Sequence, residues 1–86
     1  MNTANLSLYY YKTCPFCLRV IDFITKHSIK LELRDASQDS FREELIAGGG
    51  KKQVPCLRIE QSAGTQWLYE SQAIIAFLQD RLQHDG

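Results

Sequence analysis

Leu6-Ser7-Leu8-Tyr9-Tyr10-Tyr11-Lys12-Thr13-Cys14-Pro15-Phe16-Cys17 is the stretch that decides how this chain is read. Leu6 to Tyr10 alternates and is rich in strand formers, so it reads as a first strand. Pro15 suits a first helical turn, where its missing N–H has no partner to lose. Cys17, Val20, Ile21 and Ile24 then recur at i, i+3, i+4 and i+7, with Arg19, Asp22 and Lys26 on the other side. That spacing predicts an amphipathic helix ending near His27. Two cysteines separated by two residues at a strand-to-helix junction read as a thiol–disulfide redox site. A helix start offers unpaired N–H groups and the positive end of its dipole. A thiol held there is expected to ionise more readily than a free one.

Outward from this motif, Lys30 to Asp35 sets Leu31 and Leu33 in alternation with charged residues and predicts a second strand. Two strands joined across a helix imply a parallel pair with a right-handed crossover. Ser40-Phe41-Arg42-Glu43 has the form of a capping box, with Ser40 as N-cap. Phe41 and Leu45 form one apolar stripe, and Gly48-Gly49-Gly50 ends the helix. Cys56 to Glu60 and Thr65 to Tyr69 read as a hairpin around Gln61-Ser62-Ala63-Gly64. Ser71, Ile74, Ile75, Leu78 and Leu82 outline a last helix. The expected class is α/β, in the order βαβαββα, with a four-stranded mixed sheet flanked by three helices.

The 86 residues fit one domain, 1–86, and a hydrophobic fraction of 44% supports a packed core. Formal net charge is zero and there is no basic run, which gives no electrostatic case for nucleic acid or a membrane surface. No apolar stretch approaches the roughly 20 residues that span a bilayer. Met1 to Asn5 is short and polar, with no leader-like pattern. A cytoplasmic monomer is expected. Three cysteines, an odd and low count, do not make a disulfide scaffold.

Each motif has a plain structural reading beside the chemical one. Cys14 and Cys17 would make half a zinc knuckle only with two further ligands. Cys56, His27 and His84 supply no second close pair, and no metal is expected. Cys14, at the helix entrance, is the expected nucleophile, and Cys17, one turn in, the resolving thiol. Pro55 is either an ordinary strand-start proline or a cis-proline turn. The latter would present the Val54 N–H and C=O to an extended peptide-like ligand. Ser71 is an ordinary N-cap, or part of a carboxylate site at the helix start, with Glu70 pairing an ammonium. Cys56 reads as a small buried hydrophobe facing away from Leu57, and Trp67 as packing. His27 and His84 receive no role.

Tyr10 to Cys17, Gln53-Val54-Pro55 and Tyr69-Glu70-Ser71-Gln72-Ala73-Ile74 together resemble the glutaredoxins. The last two motifs also resemble the N-terminal, glutathione-binding domain of glutathione transferases. The resemblance runs from about Leu6 to Leu82, with three motifs in the family's order. It implies a thioredoxin-like fold and glutathione as cosubstrate. It matches Cys14 to the family's nucleophile, Cys17 to its resolving thiol and Pro55 to its cis-proline. Val54 matches the residue whose backbone pairs with the cysteinyl part of glutathione, and Gln53 a contact to the tripeptide. Glu70 and Ser71 match the pair that holds the γ-glutamyl end.

Two departures stand out. Many glutaredoxins carry a lysine three residues before the nucleophile. Here Tyr11 is there, and Lys12 is one residue closer, either a partner of the thiolate and glutathione or pointed elsewhere. Lys51 and Lys52 are then candidates for the glycine carboxylate, with an ordinary solvated charge the favoured reading of each. A Gly-Gly-Cys-Asp-type loop common in glutaredoxins is replaced by the transferase-like Glu70-Ser71. Nothing in these residues corresponds to the transferases' helical second domain, and no conjugating activity is expected. The resemblance thus implies a glutathione-dependent thiol–disulfide oxidoreductase acting on disulfides and protein–glutathione mixed disulfides. The alternatives are a glutathione-ligated [2Fe–2S] cluster carrier and a non-catalytic glutathione-binding module.

Overall fold

The computed structural model describes residues 3–85, and side chains as far as residue 83. Met1, Asn2 and the side chain of His84 therefore lie outside the described residues. The elements run β1 (Leu6–Tyr10), α1 (Pro15–Lys26), β2 (Glu32–Asp35), α2 (Asp39–Gly49), β3 (Cys56–Gln61), β4 (Gly64–Tyr69) and α3 (Ser71–Asp85). They form one four-stranded sheet in the order β2-β1-β3-β4. β1 and β2 are parallel, with Leu8 opposite Leu33. β3 is antiparallel to both β1 and β4, with Cys56 opposite Tyr9 on one side and Tyr69 on the other. This is the expected βαβαββα order and mixed sheet.

Strand alternation divides the sheet into two faces. Leu6 and Leu8 of β1 and Leu57 and Ile59 of β3 point one way, against Val20 and Ile24 of α1 and Ile74 and Leu78 of α3. Each fully buried Leu or Ile there contributes about 1.5–3 kcal/mol. Tyr9 and Cys56 point the other way, against Ala36 and Leu45, with Phe41 and Trp67 packed beside them. Thus α1 and α3 share one face, and α2 covers the opposite one. Cys56 lies buried on the face opposite Leu57.

The α2 face carries polar groups that alternation does not foretell. The Tyr9 hydroxyl donates to Glu44 Oε1 at 2.7 Å. Arg34 Nη1 donates to both the Tyr9 hydroxyl and Glu44 Oε1 at 2.8 Å. Arg58 reaches the same hydroxyl at 3.3 Å. Burial is the main reason that the Tyr9 phenol is held above its ordinary pKa.

Several boundaries differ from the sequence reading: β3 runs one residue further, to Gln61, and β4 starts one residue earlier, at Gly64. β2 begins at Glu32 rather than Lys30, and its Leu33, at the sheet edge, stays 42% exposed. α2 begins at Asp39 with Gln38 at the cap, so Ser40 lies inside the helix and forms no capping box. The turn is built earlier: Asp35 Oδ1 accepts from the Ser37 N–H and hydroxyl, and the Asp35 carbonyl accepts from the Gln38 N–H. An Asx-type turn of this kind competes with a later cap. At α3, the Glu70 carbonyl accepts the Ile74 N–H at 3.0 Å. Glu70 therefore holds the cap position and Ser71 is the first helical residue.

Candidate functional site

Cys14 is the N-cap of α1, in extended conformation, with Pro15 following in the first turn. Its sulfur accepts the Cys17 N–H at 3.4 Å, filling one of the helix's unpaired donors. The two thiols differ sharply in environment. Cys14 is half-buried, whereas Cys17 is 0% exposed. Burial pushes the Cys17 thiol up to about 12, and the neighbouring Cys14 sulfur adds to the rise. Cys56 is also buried; burial raises it to about 11, offset in part by a hydrogen bond with Tyr69. Among the described residues, no cluster of three or more His, Cys, Asp or Glu side chains is arranged to hold a metal ion.

A cleft of about 520 Å³ opens where α1, the β3 approach and α3 meet. Phe16 and Arg19 of α1 form one wall. Gln53-Val54-Pro55 lines the cleft between the helices, and Glu70-Ser71-Gln72-Ala73 forms the other wall. The fold thus gathers motifs separated by more than 50 residues into one depression beside the helix that Cys14 opens. The Val54–Pro55 bond is cis, as the resemblance implies. The main chain of Val54 makes no backbone hydrogen bond among the described residues, which leaves a donor and an acceptor for a strand-like ligand. Gln53 Nε2 donates to Glu70 Oε1 at 3.4 Å across the cleft.

Glu70 has a φ of 76°, in the left-handed region. For a residue with a Cβ this costs about 1 kcal/mol or more, and such residues cluster at ligand sites. Ser71 is buried directly behind it. The α3 start therefore presents a carboxylate beside the N–H groups of a helix terminus.

The anticipated lysines are not gathered here. Lys12 is 77% exposed, lies 4.0 Å from Asp35 Oδ2 and lines a separate depression with Tyr11, Thr13, Asp35 and Ser37. The Lys51 ammonium sits 5.3 Å from the centre of the Tyr69 ring, and the Tyr69 hydroxyl donates to the Lys51 carbonyl at 3.2 Å. Neither Lys51 nor Lys52 lines the cleft. Arg19, which helical spacing had placed on a solvated side, does line it. The signal was present: Phe16 and Arg19 are i, i+3 on the helix that the thiols open, and such pairs share a face. The Arg19 guanidinium lies 5.5 Å from the Phe16 ring centroid.

A family model described as Glutaredoxin matches residues 6–63. Prostaglandin E synthase 2 of Mus musculus is 33% identical over 81 residues, covering 94% of this chain and 21% of that protein. The chain spans about a fifth of the length of the curated relatives it matches. Among solved structures, maleylacetoacetate isomerase from Anaeromyxobacter dehalogenans has dicarboxyethyl glutathione and citrate bound in its active site. It superposes with a TM-score of 0.67 at 27% identity, over 94% of this chain and 38% of that one. Wheat glutaredoxin superposes at 0.64 with 18% identity, over 88% and 72%, a likeness of fold. Family match, sheet topology and paired thiols agree: the chain belongs to the glutaredoxin family.

Proposed function

We propose that the protein is a glutathione-dependent thiol–disulfide oxidoreductase that removes glutathione from protein–glutathione mixed disulfides. The observation that carries this reading is the inequality of the two thiols. Cys14 stands half-exposed at the helix entrance, while Cys17 is buried with its pKa pushed up to about 12. One sulfur is open to attack a disulfide; the other is a protonated neighbour held one turn inside.

In the proposed reaction the Cys14 thiolate attacks the glutathionyl sulfur of the mixed disulfide. A Cys14–glutathione disulfide forms, and the protein sulfur leaves as a thiolate and takes a proton. A second glutathione, as thiolate, attacks the glutathionyl sulfur. Glutathione disulfide leaves and the Cys14 thiolate is restored. The sum is one protein thiol and one glutathione disulfide from one mixed disulfide and one glutathione. With a protein disulfide as substrate, the Cys17 thiol loses its proton and displaces the protein from Cys14. The resulting Cys14–Cys17 disulfide is then reduced by two glutathiones.

The cleft suits the glutathionyl group. Val54 offers backbone donors and acceptors to its peptide units, Glu70 an acceptor for its ammonium, and the α3 start N–H groups for the carboxylate on the same carbon. The three free thiols fit a reducing compartment, and we propose the cytosol. Glutathione-coupled reduction of a glutathionylated peptide tests the reaction. Cys14→Ser is expected to fall to the uncatalysed rate, and Cys17→Ser to keep substantial activity on the mixed disulfide. A Cys14→Ser protein that turns over like wild type overturns the proposal.

A further inference from the structure

The cleft carries one cation and one anion among its lining residues, Arg19 and Glu70. Glu70 already accepts from Gln53, and its place beside the α3 start suits an amino-acid end. Arg19 stands on the opposite wall, exposed, and makes no ion pair among the described residues. Its guanidinium is braced against the Phe16 ring, itself 54% exposed. Stacking of this kind orients an arginine while leaving its in-plane donors free for a carboxylate. The lysines that were candidates for an anionic ligand are turned to Asp35 or to Tyr69, or stand outside the cleft.

We propose that Arg19 is a specificity-determining residue of this cleft, holding a ligand carboxylate other than the one at the γ-glutamyl end. This rests on the oxidoreductase reading above, which supplies a ligand with carboxylates to spare. That carboxylate belongs either to the glycine of glutathione or to an acidic side chain of the protein that bears it. Both present the same planar acceptor to the same fork of donors.

Binding without turnover separates the sources. In a Cys14→Ser background, four ligands are titrated by calorimetry: S-methylglutathione, its glycine ethyl ester, and glutathionylated peptides with acidic or neutral flanks. Each is compared for Arg19, Arg19→Lys and Arg19→Gln. The expected result is a loss of about tenfold in Arg19→Gln, partly restored by Arg19→Lys, for ligands that carry the recognised carboxylate. If the glycine is recognised, the loss is absent for the ester. If the protein's acid is recognised, the loss is confined to the acidic-flanked peptide. Equal losses for all four ligands, losses under about twofold for all four, or no binding by the Arg19 parent overturn the inference. Since no disulfide exchange is read, failure of the oxidoreductase reaction would leave this result standing, and the reverse.

Discussion

The side-chain amide of Gln53 donates to the carboxylate of Glu70 at 3.4 Å, joining the loop before β3 to the residue that caps α3. The bond aims one carboxylate oxygen and leaves the other open to a ligand. It also helps hold Glu70 at a φ of 76°, where only glycine sits without cost. Two substitutions separate aim from strain. Glu70→Ala removes the carboxylate and keeps the Cβ; Glu70→Gly removes both. Each is expected to raise KM for a glutathionylated peptide about tenfold, with kcat little changed, because a charged hydrogen bond is lost in ground and transition states alike. Glu70→Gly is expected to melt no lower than Glu70→Ala, since glycine's extra unfolded-state freedom is offset by its ease at positive φ. An unchanged KM in both would remove Glu70 from the binding machinery.

Lys12 gives the opposite expectation. It faces Asp35, whose carboxyl is held below the usual range chiefly by the Ser37 hydroxyl and N–H, with Lys12 adding a smaller attraction. With the ammonium exposed and 4.0 Å from the carboxylate, a pair of this kind contributes little. Lys12→Ala should therefore leave both KM for glutathionyl substrates and the melting temperature within narrow limits of wild type. A several-fold rise in KM would show that the lysine swings away from Asp35 into the cleft when ligand binds.

The buried thiols set an alkaline limit on stability. Burial raises Cys17 to about 12 and Cys56 to about 11, and also raises Tyr9 and Tyr69 above their ordinary values. In the unfolded chain these thiols titrate near about 8.5. Above that pH the unfolded state has released protons that the native state keeps, so stability falls as pH rises. Below it the contribution is complete. Urea midpoints should be level from pH 7 to about 8 and decline steadily beyond about 9. Cys17→Ala and Cys56→Ala should each decline less steeply, whatever their starting stability. Identical slopes in wild type and both variants would contradict burial as the cause. By the same reasoning, iodoacetamide at pH 8 should label the reduced native protein once, at Cys14.

How much of this was legible depended on how local the cause was. Helical spacing from Cys17 to Ile24 and alternation from Leu6 to Tyr10 mark α1 and β1 because each period is set by one element's own geometry. The cleft could be anticipated because Val54 and Glu70, which line it, each carry a local signal and the family order joins them to the helix that Cys14 opens. Arg19 carried only its i, i+3 pairing with Phe16, which puts the two side chains on one face; whether that face meets solvent or a cleft depends on where α3 lies, more than 50 residues away. Ser40 looked like a cap because its own four residues fit the pattern, yet the Asp35 turn had already started α2. The Tyr9–Arg34–Glu44 network was invisible for the same reason, being assembled from three elements. In the sequence Tyr9 read only as a strand former, with nothing to show what its hydroxyl would meet.

The glycines at the end of α2 separate two effects that pull in opposite directions. A Cβ on Gly48 would run into the Trp67 ring, and one on Gly49 into the Tyr69 hydroxyl. Helix propensity alone favours alanine over glycine at Gly48 by about 1 kcal/mol. Trp67, however, has little freedom to yield: its ring lies 5.5 Å from that of Tyr9 and 5.1 Å from the Arg58 guanidinium. Overpacking against such a ring costs about 1–3 kcal/mol, so Gly48→Ala is expected to destabilise the protein despite its propensity. Trp67→Leu makes room. In that background Gly48→Ala should become neutral or stabilising, and a double-mutant cycle of urea midpoints should show coupling of at least about 1 kcal/mol. Gly50 is the control: its φ of 83° faces open space, so Gly50→Ala should cost about 1 kcal/mol of backbone strain in either background. Additive behaviour of Gly48→Ala and Trp67→Leu would mean that the ring moves aside freely, and that close approach is not what keeps this helix end free of side chains.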